Sequence, residues 1–385
     1  MEIALYGIFL FAVFAPIYTY AIYPLILKAL PARSYATDKR AVPMVSVLVA
    51  AYNEECVIAE KIKNMSELDY PADRIEFLVG SDGSSDRTVK IANSFLDIPN
   101  LKVFELPRGG KVHALNALIR AAKGDILVFS DANTMYDRQA IRMLVRRFGD
   151  PAIGLVSGQL RYKVDETSGQ GAKSEGVYWK YENWVKMHES KLGRLSGANG
   201  AIYALRKGIV PEIRTGIVND DFYTATYTMQ AGWDVIMEAE AVAYEVPNDD
   251  MGSQFKRHVR DGAGHYQAMT VFWKMLFARK GSFTYVSHRV VRWLVPFLLI
   301  AAFFSNLALS FINSVMLVVF CLQATGYAVL ILYWFVTSRG GELPGKIGNF
   351  IQLTFYFMSV NLALLVGFFK CVGGKQCAAW ETQRF

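Results

Sequence analysis

The sequence predicts an α/β catalytic unit, a mostly parallel Rossmann-like sheet with helices on both faces, joined to transmembrane α-helices. Three observations predict it. Short β-branched runs alternate with helical stretches between residues 45 and 131. Polar clusters fall at the carboxyl end of those runs. The apolar residues, 53% of 385 against 19% charged, gather in four long uncharged stretches instead of spreading through the chain. A mean hydropathy of +0.21 is too apolar for an ordinary soluble enzyme, and the charged middle is too polar for an all-membrane chain.

The first apolar stretch, residues 3–27, holds no charge and is long enough to cross a bilayer. Lys28, Arg33, Lys39 and Arg40 follow it. A cleaved signal peptide carries its positive charge before the apolar region. Here the charge comes after, which predicts a retained anchor over 1–30 with a cytoplasmic flank.

Residues 41–250 have ordinary mixed composition and are expected to form a cytoplasmic catalytic domain. Val45–Ala50 reads as a buried strand. Ala51-Tyr52-Asn53-Glu54-Glu55 then opens a helical stretch, with Asn53 as its cap. Arg74–Gly80 is a second strand, ending in Ser81-Asp82-Gly83-Ser84-Ser85-Asp86. Leu101–Leu106 is a third, after which Arg108-Gly109-Gly110-Lys111 leads into a helix around Ala114–Ala122. Asp125–Ser130 is a fourth, ending at Asp131-Ala132-Asn133. Each cluster also reads as a plain turn or cap. A nucleotide explains them jointly. A carboxylate such as Asp82 can accept from a base N–H, glycine-rich backbone can approach phosphates, Lys111 can offset their charge, and Asp131 can hold a divalent metal.

Two aromatic and basic segments, Tyr178–Lys186 and Val271–Phe277, read as helices lying at a membrane interface or as core-facing aromatics. Residues 251–287 are assigned to such interfacial helices. Three apolar spans follow within 288–372, near 293–311, 313–336 and 349–369, then a tail over 373–385. Arg289 and Arg292 before the first span, and Arg339 and Lys346 between the second and third, read as cytoplasmic flanks. A re-entrant last segment stays open.

The net charge of +7 suits nucleic acid, an anionic membrane face or a phosphate-bearing substrate. No recognisable reading helix carries the basic residues, which argues against nucleic acid. Cys56, Cys321, Cys371 and Cys377 contain no Cys-x-x-Cys and are expected as reduced thiols. His113, His188, His265 and His288 show no ligand spacing and are expected to be structural.

The ordered set Ala-Tyr-Asn-Glu, Asp-Gly-Ser-Ser-Asp, Gly-Gly-Lys-x-x-Ala-Leu-Asn and Asp-x-Asn resembles the family 2 glycosyltransferases of GT-A fold. Ser196-Gly197-Ala198-Asn199-Gly200-Ala201 looks like that family's acceptor-side loop. Asn219-Asp220-Asp221 with Ala231-Gly232-Trp233 looks like its Thr-Glu-Asp element and the Ala-Gly-Trp after it, and Gln254-x-x-Arg257 like the start of Gln-x-x-Arg-Trp. The likeness covers about 40–270, and the flanking helices resemble the membrane polysaccharide synthases of cellulose, chitin and hyaluronan type.

The resemblance implies an activated donor, most often a UDP-sugar, inversion at the anomeric carbon, and a glycan or lipid-linked acceptor at a bilayer. It implies that Ala51, Tyr52, Glu54 and Asp82 line the nucleotide, with Lys111 on the phosphate-side loop. Asp131 would hold the sugar-nucleotide and Mg²⁺ or Mn²⁺, and Arg257 and Arg260 would suit a diphosphate. Gly197, Asn199, Gly200, Gln254 and His258 fall on the acceptor side. Asp221 would be the general base, with Asp220 beside it. Glycosyl transfer needs a carboxylate to take the acceptor proton, and mutual repulsion of paired carboxylates raises one pKa toward that role. Two departures matter. Asn133 stands where the usual metal motif has a second aspartate, offering a neutral oxygen. His258 stands where polymerising members have a tryptophan, which points to single-sugar addition as the alternative to chain growth. A catalytically silent binding scaffold is the alternative of another class.

Overall fold

The computed structural model describes residues 1–162, 170–209, 212–246, 251–339, 341, 343 and 345–374. Cys377 and the rest of the tail lie outside the described residues.

The chain opens with α1 (Glu2–Ile17) and α2 (Tyr23–Ala29), which run on through one π-helical turn as a single apolar rod. The irregular turn has a local cause. Pro24 has no N–H for the Tyr20 carbonyl four residues back, and the Tyr181 hydroxyl donates to that carbonyl instead at 3.0 Å.

The sheet unit follows as β1 (Val45–Ala51), α3 (Ile58–Ser66), β2 (Ile75–Asp82), α4 (Thr88–Asn93), β3 (Leu101–Leu106), α5 (Lys111–Ala121) and β4 (Ile126–Asp131). It continues with β5 (Met135–Tyr136), α6 (Ala140–Val145), β6 (Ile153–Tyr162), α7 (Gln170–Lys191), β7 (Tyr203–Arg206), α8 (Asp220–Gln230) and β8 (Asp234–Glu245). The strands form one sheet in the order β3-β2-β1-β4-β7-β6-β8-β5. β3, β2, β1 and β4 are parallel, as their right-handed crossovers through helices require. β7 is antiparallel to both neighbours. The central strand β1 is buried along its whole length, which explains its near-continuous apolar run.

Two hydrophobic clusters sandwich the sheet. One packs α3 and α6 on one face. The other packs α5 and α8 on the opposite face and extends through Phe272, Tyr285 and Trp293. The sheet therefore shares a core with the helices that lead to the apolar spans.

After β8 come α9 (Met251–Val271), a short 3₁₀ turn, α10 (Ser282–Thr284), α11 (Val291–Ser310), α12 (Ser314–Thr337) and α13 (Gly345–Val372). Among the described residues four helices are long and apolar enough to cross a membrane: Glu2–Ala29, Ser282–Ser310, Ser314–Thr337 and Gly345–Val372. The second corrects the sequence reading, because α10 joins α11 through a π-turn and the apolar helix begins at Ser282. Arg289 and Arg292 are not flanks facing lipid headgroups. They lie inside this helix and pair with Glu182 at 3.1 and 2.9 Å.

The segment Tyr178–Lys186 lies in α7, whose Val185 packs on Tyr23 and Leu27 of α2. That face is core, while Trp184 stays partly exposed. In Val271–Phe277 the helix ends at Val271. The turn after it buries Phe272 and Met275 and exposes Trp273 and Phe277.

Candidate active site

Strand register brings the residues expected at a nucleotide to one edge. Ala51 lies opposite Ser81, and Ala50 opposite Asp131. Asn53 sits in the left-handed region at φ 51°, a conformation asparagine tolerates. It does not cap a helix, which corrects the expectation. Its Oδ1 accepts from the Ser85 N–H at 2.9 Å, and its own N–H donates to Ser84 Oγ at 3.1 Å. The loop after β2 draws Asn53 and Glu54 toward it, so α3 starts only at Ile58. The Glu54 N–H donates to Thr88 Oγ1 at 2.8 Å, and the residue is buried.

The Asp82 carboxylate is enclosed. It accepts from Arg108 Nη1 at 2.5 Å, from the Gly109 N–H at 2.8 Å and from the Gly110 N–H at 2.9 Å. The Arg108 guanidinium also lies 3.3 Å from the centre of the Tyr52 ring. A planar, hydrogen-bonding group is thus stacked on Tyr52 and paired with Asp82.

Lys111, at the start of α5, bridges two carboxylates. Its ammonium is 2.9 Å from Asp131 and 3.2 Å from Asp220. Burial alone would lower its pKa, but Asp131 and Asp220 outweigh burial and raise it. Beneath Asp131 lies Lys61, fully buried, donating to Ser130 Oγ at 2.7 Å and to the Thr134 carbonyl at 2.5 Å. Burial pulls its pKa down to about 7, with the Asp131 charge opposing the pull. Lys61 thereby ties both ends of the Asp131–Thr134 turn.

The Asn133 amide donates to Glu245 at 2.6 Å. Among the described residues no group of three or more His, Cys, Asp or Glu side chains converges to make a metal cage. The oxygens on offer are the Asp131 carboxylate and the Asn133 carbonyl. That set fits a divalent cation that keeps most of its shell on a diphosphate, as Mg²⁺ does with one or two protein carboxylates.

Asp220 and Asp221 form the first turn of α8 instead of an extended pair. Successive helical residues point about 100° apart, so the two carboxylates diverge. Asp220 turns to Lys111. Asp221 turns to the Ser196–Ala201 loop, where a Cβ on Gly200 would come within 3.2 Å of its Oδ2. Burial raises the Asp221 pKa to about 6. The Asp220 charge adds to the rise, and Lys111 opposes it. The apolar wall behind α8 is aromatic: the Phe222 ring lies 5.4 Å from Trp293, and Trp293 stacks on His265 at 4.9 Å. Burial holds His265 down at about 4.

The loop from Ser196 to Ala201 is fixed by its own backbone bonds. The Asn199 N–H donates to Ser157 Oγ at 2.9 Å, and Asn199 Oδ1 accepts from the Ala201 N–H at 3.2 Å. Gly197 lies close to α8 and Arg289: a Cβ there would come 3.1 Å from the Phe222 ring and 3.2 Å from Arg289 Nη2.

On α9, Gln254 is buried and Arg257 half-buried. Arg260 is half exposed and pairs with the adjacent Asp261 at 3.2 Å. Burial would raise the Asp261 pKa, but the Arg260, His265 and Arg257 charges hold it below the usual range. The Asp261 carbonyl accepts from Asn219 at 3.1 Å, so α9 braces the residue preceding the two aspartates. His258 faces Tyr356 of α13, ring centres 6.2 Å apart.

Sequence reasoning missed Lys61 and an ionic cluster of Glu182, Glu189, His288, Arg289 and Arg292. Lys61 had a signal: it shares the apolar face of α3 with Ile58, Ile62 and Met65. The cluster had none, because it joins segments about 100 residues apart.

This arrangement and the chain's relatives define its class. Residues 46–212 match the profile of glycosyl transferase family 2. Over that stretch the sequence is that of a family 2 glycosyl transferase domain, and the sheet unit has the GT-A fold. The poly-beta-1,6-N-acetyl-D-glucosamine synthase of Staphylococcus epidermidis is 24% identical over 311 residues, which span 72% of this chain and 74% of that protein. The beta-monoglucosyldiacylglycerol synthase of Synechocystis is 36% identical over 141 residues, 34% of this chain but only 29% of its own length. A mannosyltransferase from Pyrobaculum calidifontis, solved in complex with GDP-Man and Mn²⁺, has a TM-score of 0.73 at 23% identity. That likeness of fold covers 97% of this chain and 99% of that one.

Proposed function

We propose that the chain is a membrane-embedded, inverting glycosyltransferase. It moves a sugar from a nucleotide-sugar, a UDP-sugar first among the candidates, to a growing surface polysaccharide or oligosaccharide. The catalytic unit of residues 41–250 faces the cytoplasm. The observation that carries the reading is Asp221, a buried carboxylate raised to about 6 beside Gly200 and one residue from the Lys111-bound Asp220.

In this reading the acceptor hydroxyl gives its proton to Asp221 as its oxygen bonds to the anomeric carbon. The bond from that carbon to the diphosphate oxygen breaks, and its electron pair leaves with the nucleoside diphosphate. Lys111 meets the charge that develops there. Asp131 and Asn133 would hold Mg²⁺ or Mn²⁺, which supplies further charge neutralisation on the diphosphate when bound. Ala51, Tyr52 and Asp82 frame the base, with Glu54 in the wall behind them.

A second reading, one sugar added to a polyprenyl-phosphate or lipid-linked glycan, is favoured by His258. Its ring packs edge-on against Tyr356, where a polymerising relative would present a stacking tryptophan. The test is a panel of radiolabelled UDP- and GDP-sugars supplied to membranes carrying the protein, followed by product sizing. A ladder or long polymer supports chain growth, and a single-sugar product supports the second reading. No transfer from any nucleotide-sugar contradicts both.

A further inference from the structure

The face of α7 that carries Glu182, Lys186 and Glu189, spaced i, i+4 and i+7, is buried at the seam between the sheet and the apolar helices. Both glutamates are fully engaged. His288 lies between them, 2.7 Å from Glu189 and 3.1 Å from Glu182. Arg289 and Arg292 pair with Glu182. Glu189 accepts from the Tyr23 hydroxyl at 2.6 Å and from the Ser196 N–H at 3.0 Å. Lys186 differs. It is 5% exposed, and among the described residues no hydrogen bond or ion pair reaches its ammonium. Its one close partner is the face of the Trp179 ring at 5.8 Å.

Arg289 is also incompletely used. Nη1 pairs with Glu182 and Nε donates to the Ser196 carbonyl, while Nη2 lies against Gly197 with no acceptor among the described residues. Burial pushes the Lys186 pKa down, and the Arg289 charge pushes the same way. Glu182, Asp221 and Glu189 push it up, which places Lys186 within the field of the proposed base.

A buried cation without a partner is costly, and losing it is less costly than keeping it unless something pairs with it. We propose that Lys186 and the Nη2 edge of Arg289 form an anion subsite on the acceptor side of Asp221, for the phosphate of a lipid-borne acceptor. The proposal rests on the reading of Asp221 as the base that faces the acceptor. Phosphate suits a guanidinium edge beside a point-charge ammonium. A lipid source suits the place, since the leading apolar helix reaches it: the Tyr23 hydroxyl donates to Glu189 on the same face of α7 at 2.6 Å, and the Arg292 guanidinium of α11 lies over the Tyr20 ring at 4.7 Å. Neither cation makes or breaks a bond. They position the anion next to the attacking group.

The test uses the full chain in nanodiscs with its identified donor. Three acceptors are compared: a polyprenyl-phosphate-linked sugar, the same sugar on an uncharged polyprenyl chain, and the water-soluble sugar phosphate. Inorganic phosphate is the competing probe. Lys186→Met removes an unpaired buried charge, so folding is retained, and Lys186→Arg is the conservative control. The expected result is that the wild type prefers the phosphate-linked lipid and that Lys186→Met raises its KM about tenfold or more. The donor KM stays unchanged, phosphate inhibition is lost, and Lys186→Arg restores both. An acceptor KM and phosphate inhibition unmoved by Lys186→Met overturn the proposal. Equal use of the water-soluble sugar phosphate overturns the lipid source. If Asp221→Asn keeps full transfer, the underlying reading fails. If it abolishes transfer while Lys186→Met is silent, only the anion subsite fails.

Discussion

Asp221 titrates in the range where a base must work. A carboxylate near 6 is ionised at neutral pH yet basic enough to take a proton from an acceptor in the transition state. The sign of the pH dependence follows. Below about 6 the group is protonated and cannot accept, so kcat rises with pH through about 6 and levels off above it. A pH–rate profile of the wild type checks this, and a profile flat from pH 5 to 8 contradicts it. Arg108 gives a second expectation at this scale. Its guanidinium stacks on Tyr52 and pairs with Asp82, the place a nucleobase would take in the proposed site. A donor must displace it. Arg108→Ala should therefore lower the donor Kd several-fold, by about the strength of one stacked cation. Titration calorimetry reads the change, and weaker binding would show that Arg108 helps the donor instead. Asn133→Asp replaces a neutral oxygen with a charged one. The divalent-ion concentration for half-maximal activity should fall, and complete chelation should silence both forms.

At the scale of elements, the strand–helix alternation was legible because central parallel strands are buried on both faces and read as apolar runs. Val45–Ala51 shows this along its whole length, and Ile126–Asp131 along all but its last residue. The clusters at their ends were legible because chain direction alone puts them on one sheet edge. What was not legible depended on tertiary partners. Asn53 looks like a helix cap in sequence, but a loop 32 residues away takes its side chain. Arg289 and Arg292 look like membrane flanks, but a carboxylate on α7 buries them. Glu182 and Glu189 sit in a helix whose sequence, aromatic and basic, signals an interface. Their partners come from elements far along the chain. A buried charge that loses one partner is left uncompensated, at a cost of about 3–5 kcal/mol. Glu182→Gln should therefore lower the thermal midpoint of the detergent-solubilised protein by several degrees, whereas a substitution at the exposed Glu67 should not. An unchanged midpoint would mean that the cluster is not a structural tie.

At the scale of the molecule, the apolar content separates into four helices and two sheet-facing cores. The second core runs without a break from β4 and α8 into Tyr285 and Trp293, so the base of the site stands on the same packing as the entrance to α11. The apolar helices thus share their packing with the candidate site. The protein should stay with the membrane fraction through high-salt and alkaline washes and leave only with detergent, and release by salt alone would contradict embedding. The +7 charge divides in the same way. Lys61, Lys186 and Arg292 are buried inside the fold, Lys111 and Arg289 are partly so, and Lys28 and Arg33 follow the leading helix. The claim on which all three scales depend is that Asp221 takes the acceptor proton. The most direct measurement compares Asp221→Asn with the wild type, donor binding by calorimetry beside acceptor-dependent transfer. The account predicts donor affinity within about twofold of the wild type and transfer reduced by about 10²–10⁴-fold. Transfer within a factor of a few of the wild type would contradict it.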